Sequence, residues 1–109
     1  MSDKEGLPFS YSDIRPYAVP DSLDELRGPE HGIITLPREL AWSGRREFDL
    51  DDNYDRTALY KIVLEEGHRE DLHRLLNRAL LQHDWPDMIP ARQVRTLWER
   101  RFPELRHAA

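Results

Sequence analysis

The reading of the fold turns on "LPRELAWSGRREFDLDDNYDR", residues 36–56, because the apolar pattern changes period inside it. Phe48 and Leu50 alternate with Glu47 and Asp49, the two-residue repeat of a half-buried strand. From Asp51 onward Tyr54, Ala58, Leu59, Ile62 and Val63 recur along one helical stripe, which Glu65, Glu66 and Gly67 bring to an end. The junction is built from Asp51, Asp52 and Asn53, side chains that accept hydrogen bonds from the free N–H groups of a first helical turn, and Asp55 complements the positive helix end. Upstream, the β-branched run "GIITLP" is bounded by Gly32 and Pro37 and predicts a strand over residues 33–36. This strand is expected to pair with residues 47–50 across Ser43 and Gly44, with Trp42 beside the turn covering the small sheet.

The acidic run also invites a metal reading, which its spacing does not support. Counted from Asp49 as a calcium loop, Asp51 and Asn53 fall on ligand positions, but the position that needs glycine is Tyr54 and the twelfth is Tyr60 instead of glutamate. A loop without that bend and that bidentate carboxylate lacks what holds the ion. The cluster therefore reads as a helix start, and no metal or cofactor is expected.

Downstream, Leu72, Leu75, Leu76, Ala79 and Leu80 repeat at helical spacing and predict a second helix over 69–82. A third is expected over 90–101, with Pro90 as its first residue, Val94, Leu97, Trp98 and Phe102 inward, and Pro103 as its stop. Ahead of the hairpin, five of the eight prolines fall in the first 37 residues, so residues 1–32 read as an extended Pro-rich arm. Within the arm, Ser22 and Glu25 have capping-box spacing for a short helical turn that Gly28 can close. Phe9, Tyr11 and Tyr17 make the arm too aromatic for an inert tail, so it packs on its own domain or docks on a partner. The expected fold is α+β: a hairpin over 33–50 and the arm packed on a C-terminal three-helix unit over 53–66, 69–82 and 90–101. Leu59, Ile62, Val63, Leu72, Leu76, Leu80, Val94, Leu97 and Trp98 form the expected core of residues 33–109, a single domain.

Composition narrows the function. The net charge is −5, divided as −7 over residues 1–55 and +2 over residues 56–109, a balance that opposes broad attraction to phosphate backbones or anionic membranes. The absence of cysteine removes thiolate nucleophiles, Cys-based zinc sites and disulfides, and fits a cytoplasmic protein. No apolar run has the length of a signal peptide core or a membrane span, so no membrane association is expected. His31, His68, His73, His83 and His107 include no pair at the i, i+4 spacing of a helical zinc site. No Gly-x-Ser-x-Gly elbow or Gly-rich phosphate loop is present, and Ser43 reads as a turn residue. No catalytic residue is assigned.

Nucleic-acid binding is the competing reading. The third helix and tail carry Arg92, Arg95, Arg100, Arg101 and Arg106 against Glu99 and Glu104. "LEEGHRED" has a turn of helix-turn-helix length, but Val63 stands where a small residue is usual, and Glu70 and Asp71 sit at the end that should face bases.

The frame "LPRELAWSG", "FDLDD", "LYKIVLEEG" and "LHRLLNRALLQHDWPDMIPARQVRTLWERRFPEL" resembles a group of small uncharacterised proteins of high-GC bacteria. The resemblance spans residues 36–105 and rests on Leu36, Trp42, Asp49, Gly67, Pro86 and Trp98. Genes of this group often lie beside nucleotidyltransferase toxins of the AbiE type, which implies an antitoxin-like or accessory role and carries over no functional residue. The expectation is a non-enzymatic protein–protein interaction or regulatory protein that binds a partner, or itself, through Phe9, Tyr11 and Tyr17. The alternative is a DNA-binding transcriptional regulator using Arg92, Arg95, Arg100 and Arg101.

Overall fold

Two short strands, β1 (Ile33–Thr35) and β2 (Glu47–Asp49), form an antiparallel hairpin with Ile33 opposite Asp49, Ile34 opposite Phe48 and Thr35 opposite Glu47. The computed structural model describes residues 17–41 and 44–107. Pairing extends past both strand ends, where Leu36 N–H donates to Arg46 O (2.6 Å) and Leu50 N–H to Gly32 O (2.8 Å). This register puts Ile34, Leu36, Phe48 and Leu50 on one face; the last three are buried, while Ile33 on the other face is 61% exposed. The connection contains a 3-10 turn, Arg38–Leu40, and Gly44 at φ 97°, a left-handed conformation that favours glycine. Trp42 and Ser43, expected at this turn, lie outside the described residues.

Helix α1 (Asn53–Glu66) occupies the span read from the sequence, and the acidic run starts it. The Asp52 carboxylate accepts from Tyr54 N–H (2.9 Å) and Asp49 from Asp51 N–H (2.9 Å). Asp55 accepts from Asp49 N–H (3.0 Å) and meets Arg45 at 2.7 Å, while Asp51 meets His31 at 2.8 Å. The buried stripe of α1 is Arg56, Leu59, Tyr60, Val63 and Leu64, rotated from the expected one. Tyr54, expected on the apolar stripe, is therefore turned outward and 74% exposed, and Ala58 and Ile62 lie at the edge of the core. Gly67 ends α1 by close approach: an added Cβ would stand 2.6 Å from Val63 O.

The second expected helix, 69–82, is two helices, α2 (Arg69–Leu75) and α3 (Arg78–Asp84). Leu76 and Asn77 between them are extended, and Asn77 pairs with Arg27 of the N-terminal segment as an isolated bridge. Three groups hold the break. Asn77 N–H donates to the Tyr60 hydroxyl (3.0 Å), the Asn77 amide donates to Gly28 O (3.0 Å), and Asn77 Oδ1 caps α3 by accepting from Leu80 N–H (3.1 Å). Burial raises the Tyr60 phenol to about 12, so the hydroxyl stays protonated and able to bond here. The break resets the helical phase: Leu81 is buried, Leu80 partly buried and Ala79 exposed, in place of the expected Ala79 and Leu80.

A 3-10 turn, Trp85–Asp87, leads through an extended segment to α4 (Arg92–Arg101), which begins two residues after Pro90. Pro103 opens a further 3-10 turn, Pro103–His107, whose Leu105 returns to the core. Trp85, Trp98 and Phe102 form an aromatic line with ring centroids 6.3 and 5.7 Å apart. Leu59, Val63, Leu72, Leu76, Val94 and Trp98 are buried as expected, and Ile62, Leu80 and Leu97 are partly buried around them. The described part of the arm packs in cis: Leu23 and Leu26 are buried, and Tyr17, Ala18 and Val19 lie against the core. The Ser22 hydroxyl caps the turn Leu23–Glu25, while Gly28 sits against the backbone of Leu75 and Leu76 and does not end a helix. The fold is α+β; among the described residues it comprises a two-stranded hairpin and four α-helices.

Candidate interaction surface

Arg56, charged yet on the inner stripe of α1, organises one face of the molecule. Its guanidinium grips the Asp84 carboxylate through two bonds, Nε to Oδ2 (2.6 Å) and Nη2 to Oδ1 (2.9 Å), with both side chains less than 10% exposed. The remaining donors reach Leu50 O (2.8 Å) and Asn53 Oδ1 (2.5 Å). This one side chain thus ties the end of β2, the first turn of α1 and the end of α3 together. Burial would raise the Asp84 carboxyl, but Arg56, with His83 beside it at 3.1 Å, holds it below its ordinary value.

The segment after α3 is fixed from the other side. Arg95 donates to Trp85 O (3.1 Å) and to Met88 O, and lies 4.9 Å from the Trp85 ring centroid. Glu99 joins Arg95 (3.0 Å) to the Trp85 indole N–H (2.9 Å), and Ala91 N–H donates to Glu65 at 2.7 Å. Met88 is buried, whereas Ile89, between these anchors, is 82% exposed. Tyr54 and Ile89 line the same shallow groove, together with Thr57, Ala58, Lys61, Asp87 and Met88. An adjoining hollow is lined by Asn53, Tyr54, Thr57, His83, Asp84 and Asp87. Two large exposed side chains 35 positions apart in sequence are thereby presented on one rigid surface. The sequence pattern places Tyr54 on the apolar stripe of α1 and gives no role to Ile89; the available signal was an isoleucine set between Met88 and Pro90, in a segment too short for a helix.

Of the arm residues singled out from the sequence, Tyr17 packs against the core, and Phe9 and Tyr11 lie outside the described residues. The acidic side chains that follow close onto the basic half of the chain. Asp21 pairs with Arg69 (2.8 Å) and Arg101 (2.9 Å), Glu25 with Arg69 (3.3 Å) and His73 (2.8 Å), and Asp24 with Arg78. The Arg69 hydrogen bond lowers the Asp21 carboxyl. Desolvation pushes Glu25 upward, but His73 and Arg69 outweigh it and leave it lowered.

The four arginines of the nucleic-acid reading divide. Arg95 is committed to Glu99 and two carbonyls, and Arg101 to Asp21. Arg92 and Arg100 are exposed beside Gln93, Thr96 and Leu97, and neither has an ion pair among the described residues. Among the described residues no group of three or more His, Asp or Glu side chains is placed to hold a metal ion, and no helix is long and apolar enough to cross a membrane. Comparison with protein-family models, with curated proteins and with solved structures gives no match to the chain.

Proposed function

We propose that this chain is a non-enzymatic interaction protein that acts in the cytoplasm by holding another protein, in the accessory or antitoxin-like role that the resemblance implies. The observation that carries this reading is the pairing of Tyr54, 74% exposed, with Ile89, 82% exposed, across one groove. Exposed apolar side chains gathered on one groove and rimmed by polar ones mark contact sites, and tyrosine is among the side chains that anchor them. The groove's walls are held by the Arg56–Asp84 pair and by Arg95, so little ordering remains to be done on binding. The arm contact through Phe9, Tyr11 and Tyr17 is the second element of this reading.

Photo-crosslinking in cells tests it. The full-length chain with p-benzoylphenylalanine in place of Tyr54 is expected to form a covalent adduct with a protein, and the same group in place of the exposed Arg74 is not. Equal labelling at the two positions would count against the reading. The DNA-binding alternative is supported by Arg92, Arg100 and Arg106, exposed toward the end of the chain. It predicts DNA retention that weakens with salt and on substituting Arg92 and Arg100 by alanine.

A further inference from the structure

We infer that the partner seated on the Tyr54–Ile89 groove presents an arginine beside an apolar side chain, the guanidinium against Tyr54 and Asp87 and the apolar group against Ile89; this rests on the interaction reading above and names the partner's chemistry. The groove and the hollow beside it share Tyr54, Thr57 and Asp87, so they form one depression with two parts. Ala58, Met88 and Ile89 complete the groove, which suits an apolar side chain. Asn53, His83 and Asp84 complete the hollow, which is polar.

Most polar groups of the depression are already engaged. Asp84 holds Arg56 through both carboxylate oxygens, and His83 lies 3.1 Å from one of them. Asn53 Oδ1 accepts from Arg56, and the Thr57 hydroxyl donates within α1 to Asn53 O (3.0 Å) or Tyr54 O (3.1 Å). Asp87 is exposed and has no ion pair among the described residues, so its carboxylate is open to an incoming donor. The nearby cations are matched: Lys61 lies 3.1 and 3.2 Å from the two Glu65 oxygens, and Arg56 faces Asp84. Asp52, exposed and bonded to Tyr54 N–H at 2.9 Å, adds a second carboxylate without an ion pair at the same end of α1. Charge complementarity therefore calls for a cation beside an exposed aromatic ring. A guanidinium meets both demands, since it stacks on a tyrosine face while its N–H groups reach a carboxylate; an ammonium meets only the charge as well. Because the two parts share three lining residues, the arginine and the apolar side chain must be close neighbours, adjacent in an extended segment or about three or four positions apart in a helix.

Random dodecapeptides displayed on phage and panned against the immobilised full-length chain test the inference, with enriched sequences remade as labelled peptides for fluorescence anisotropy. The enriched peptides are expected to carry an arginine beside an apolar residue. Their affinity should fall by on the order of tenfold or more in Asp87→Lys, where attraction becomes repulsion, and also in Tyr54→Ala and when the arginine is replaced by citrulline. Glu70→Lys, the same charge change at an exposed carboxylate outside the depression, should leave affinity within about twofold, which separates the site from the general pull of a net charge of −5. Tyr54 and Asp87 are exposed, so circular dichroism should show both variants folded. No enrichment, affinity indifferent to Asp87→Lys, or an equal loss in Glu70→Lys would overturn the inference. Arginine-free peptides whose binding is lost in Tyr54→Ala would overturn the partner's chemistry and leave the interaction reading intact. A chain that sediments as a dimer, lost in Tyr54→Ala, would give the groove to a second copy and overturn the inference. Peptides indifferent to Tyr54→Ala, together with no crosslinked adduct at position 54, would defeat both.

Discussion

Replacing Arg56 by methionine tests whether the face carrying Tyr54 is held by one buried ion pair. The guanidinium makes four hydrogen bonds, two to Asp84 and one each to Leu50 O and Asn53. Methionine fills much of the same volume but leaves the Asp84 carboxylate, 4% exposed, with only His83, and Leu50 O without its side-chain donor. Removing one partner of a buried pair costs about 3–5 kcal/mol, and the same range is expected for Asp84→Leu, which leaves the guanidinium half-satisfied. The double variant Arg56→Met/Asp84→Leu creates no lone buried charge. Its remaining loss, the bonds to Leu50 O and Asn53, is about 1–3 kcal/mol. The double variant should therefore fall short of the sum of the singles by at least about 2 kcal/mol. Urea denaturation followed by far-UV circular dichroism measures all three. Acid titration adds a signed check: because the Asp84 carboxyl is lowered, its contribution is present above the unfolded value of 3.8 and disappears as pH falls through the folded value. The wild-type chain should lose this increment on the acid side, and the double variant should not. Single substitutions that each cost under about 1 kcal/mol, or strictly additive ones, would refute the reasoning.

Asn77→Ala removes the α3 cap and the bond to Gly28 O, an expected loss of about 2–3 kcal/mol in denaturant melts; Asn77→Asp, which keeps the acceptor, should lose less. Gly28→Ala drives a Cβ to 2.6 Å from Leu75 C and 2.9 Å from Leu76 O, backbone atoms that cannot swing aside, and should cost about 1–3 kcal/mol or more by the same assay. The His31 imidazole, bonded to Asp51 at 2.8 Å, is raised above 6.5, so its NMR titration midpoint should lie higher than that and drop in Asp51→Asn. The sign follows: stabilisation by this pair is present below 6.5 and is lost as pH rises through the folded value.

The hairpin and α1 were legible in the sequence because their determinants are local. The two-residue alternation of Phe48 and Leu50, the Gly44 turn and the Asp52 cap all act within a few positions of where they are read. The break at Asn77 was not, because the leucines around it keep helical spacing and the groups that open the helix, Gly28 and Tyr60, lie 49 and 17 residues away. Arg56 was overlooked for a related reason. A charged side chain reads as solvated, although its place three and four residues before Leu59 and Tyr60 put it on the inner stripe, and the carboxylate that permits its burial is 28 residues downstream. The candidate face follows from that misreading: an inward Arg56 turns Tyr54 outward.

The acidic strap ahead of the hairpin gives the chain an awkward order of assembly. Asp21 precedes its partner Arg101 by 80 residues, and Asp21 and Glu25 precede Arg69 and His73 by 44 to 48. At a synthesis rate of about 5–20 residues per second, Arg101 is added about 4–16 s after Asp21. Over that interval the nascent chain at first carries Leu23 and Leu26 without the α2–α3 surface that later covers them, and the pair of Asp21 with Arg101 cannot form until the last helix exists. Contacts of such long range slow folding and extend the period in which an apolar segment is open to chaperones or to a neighbouring chain.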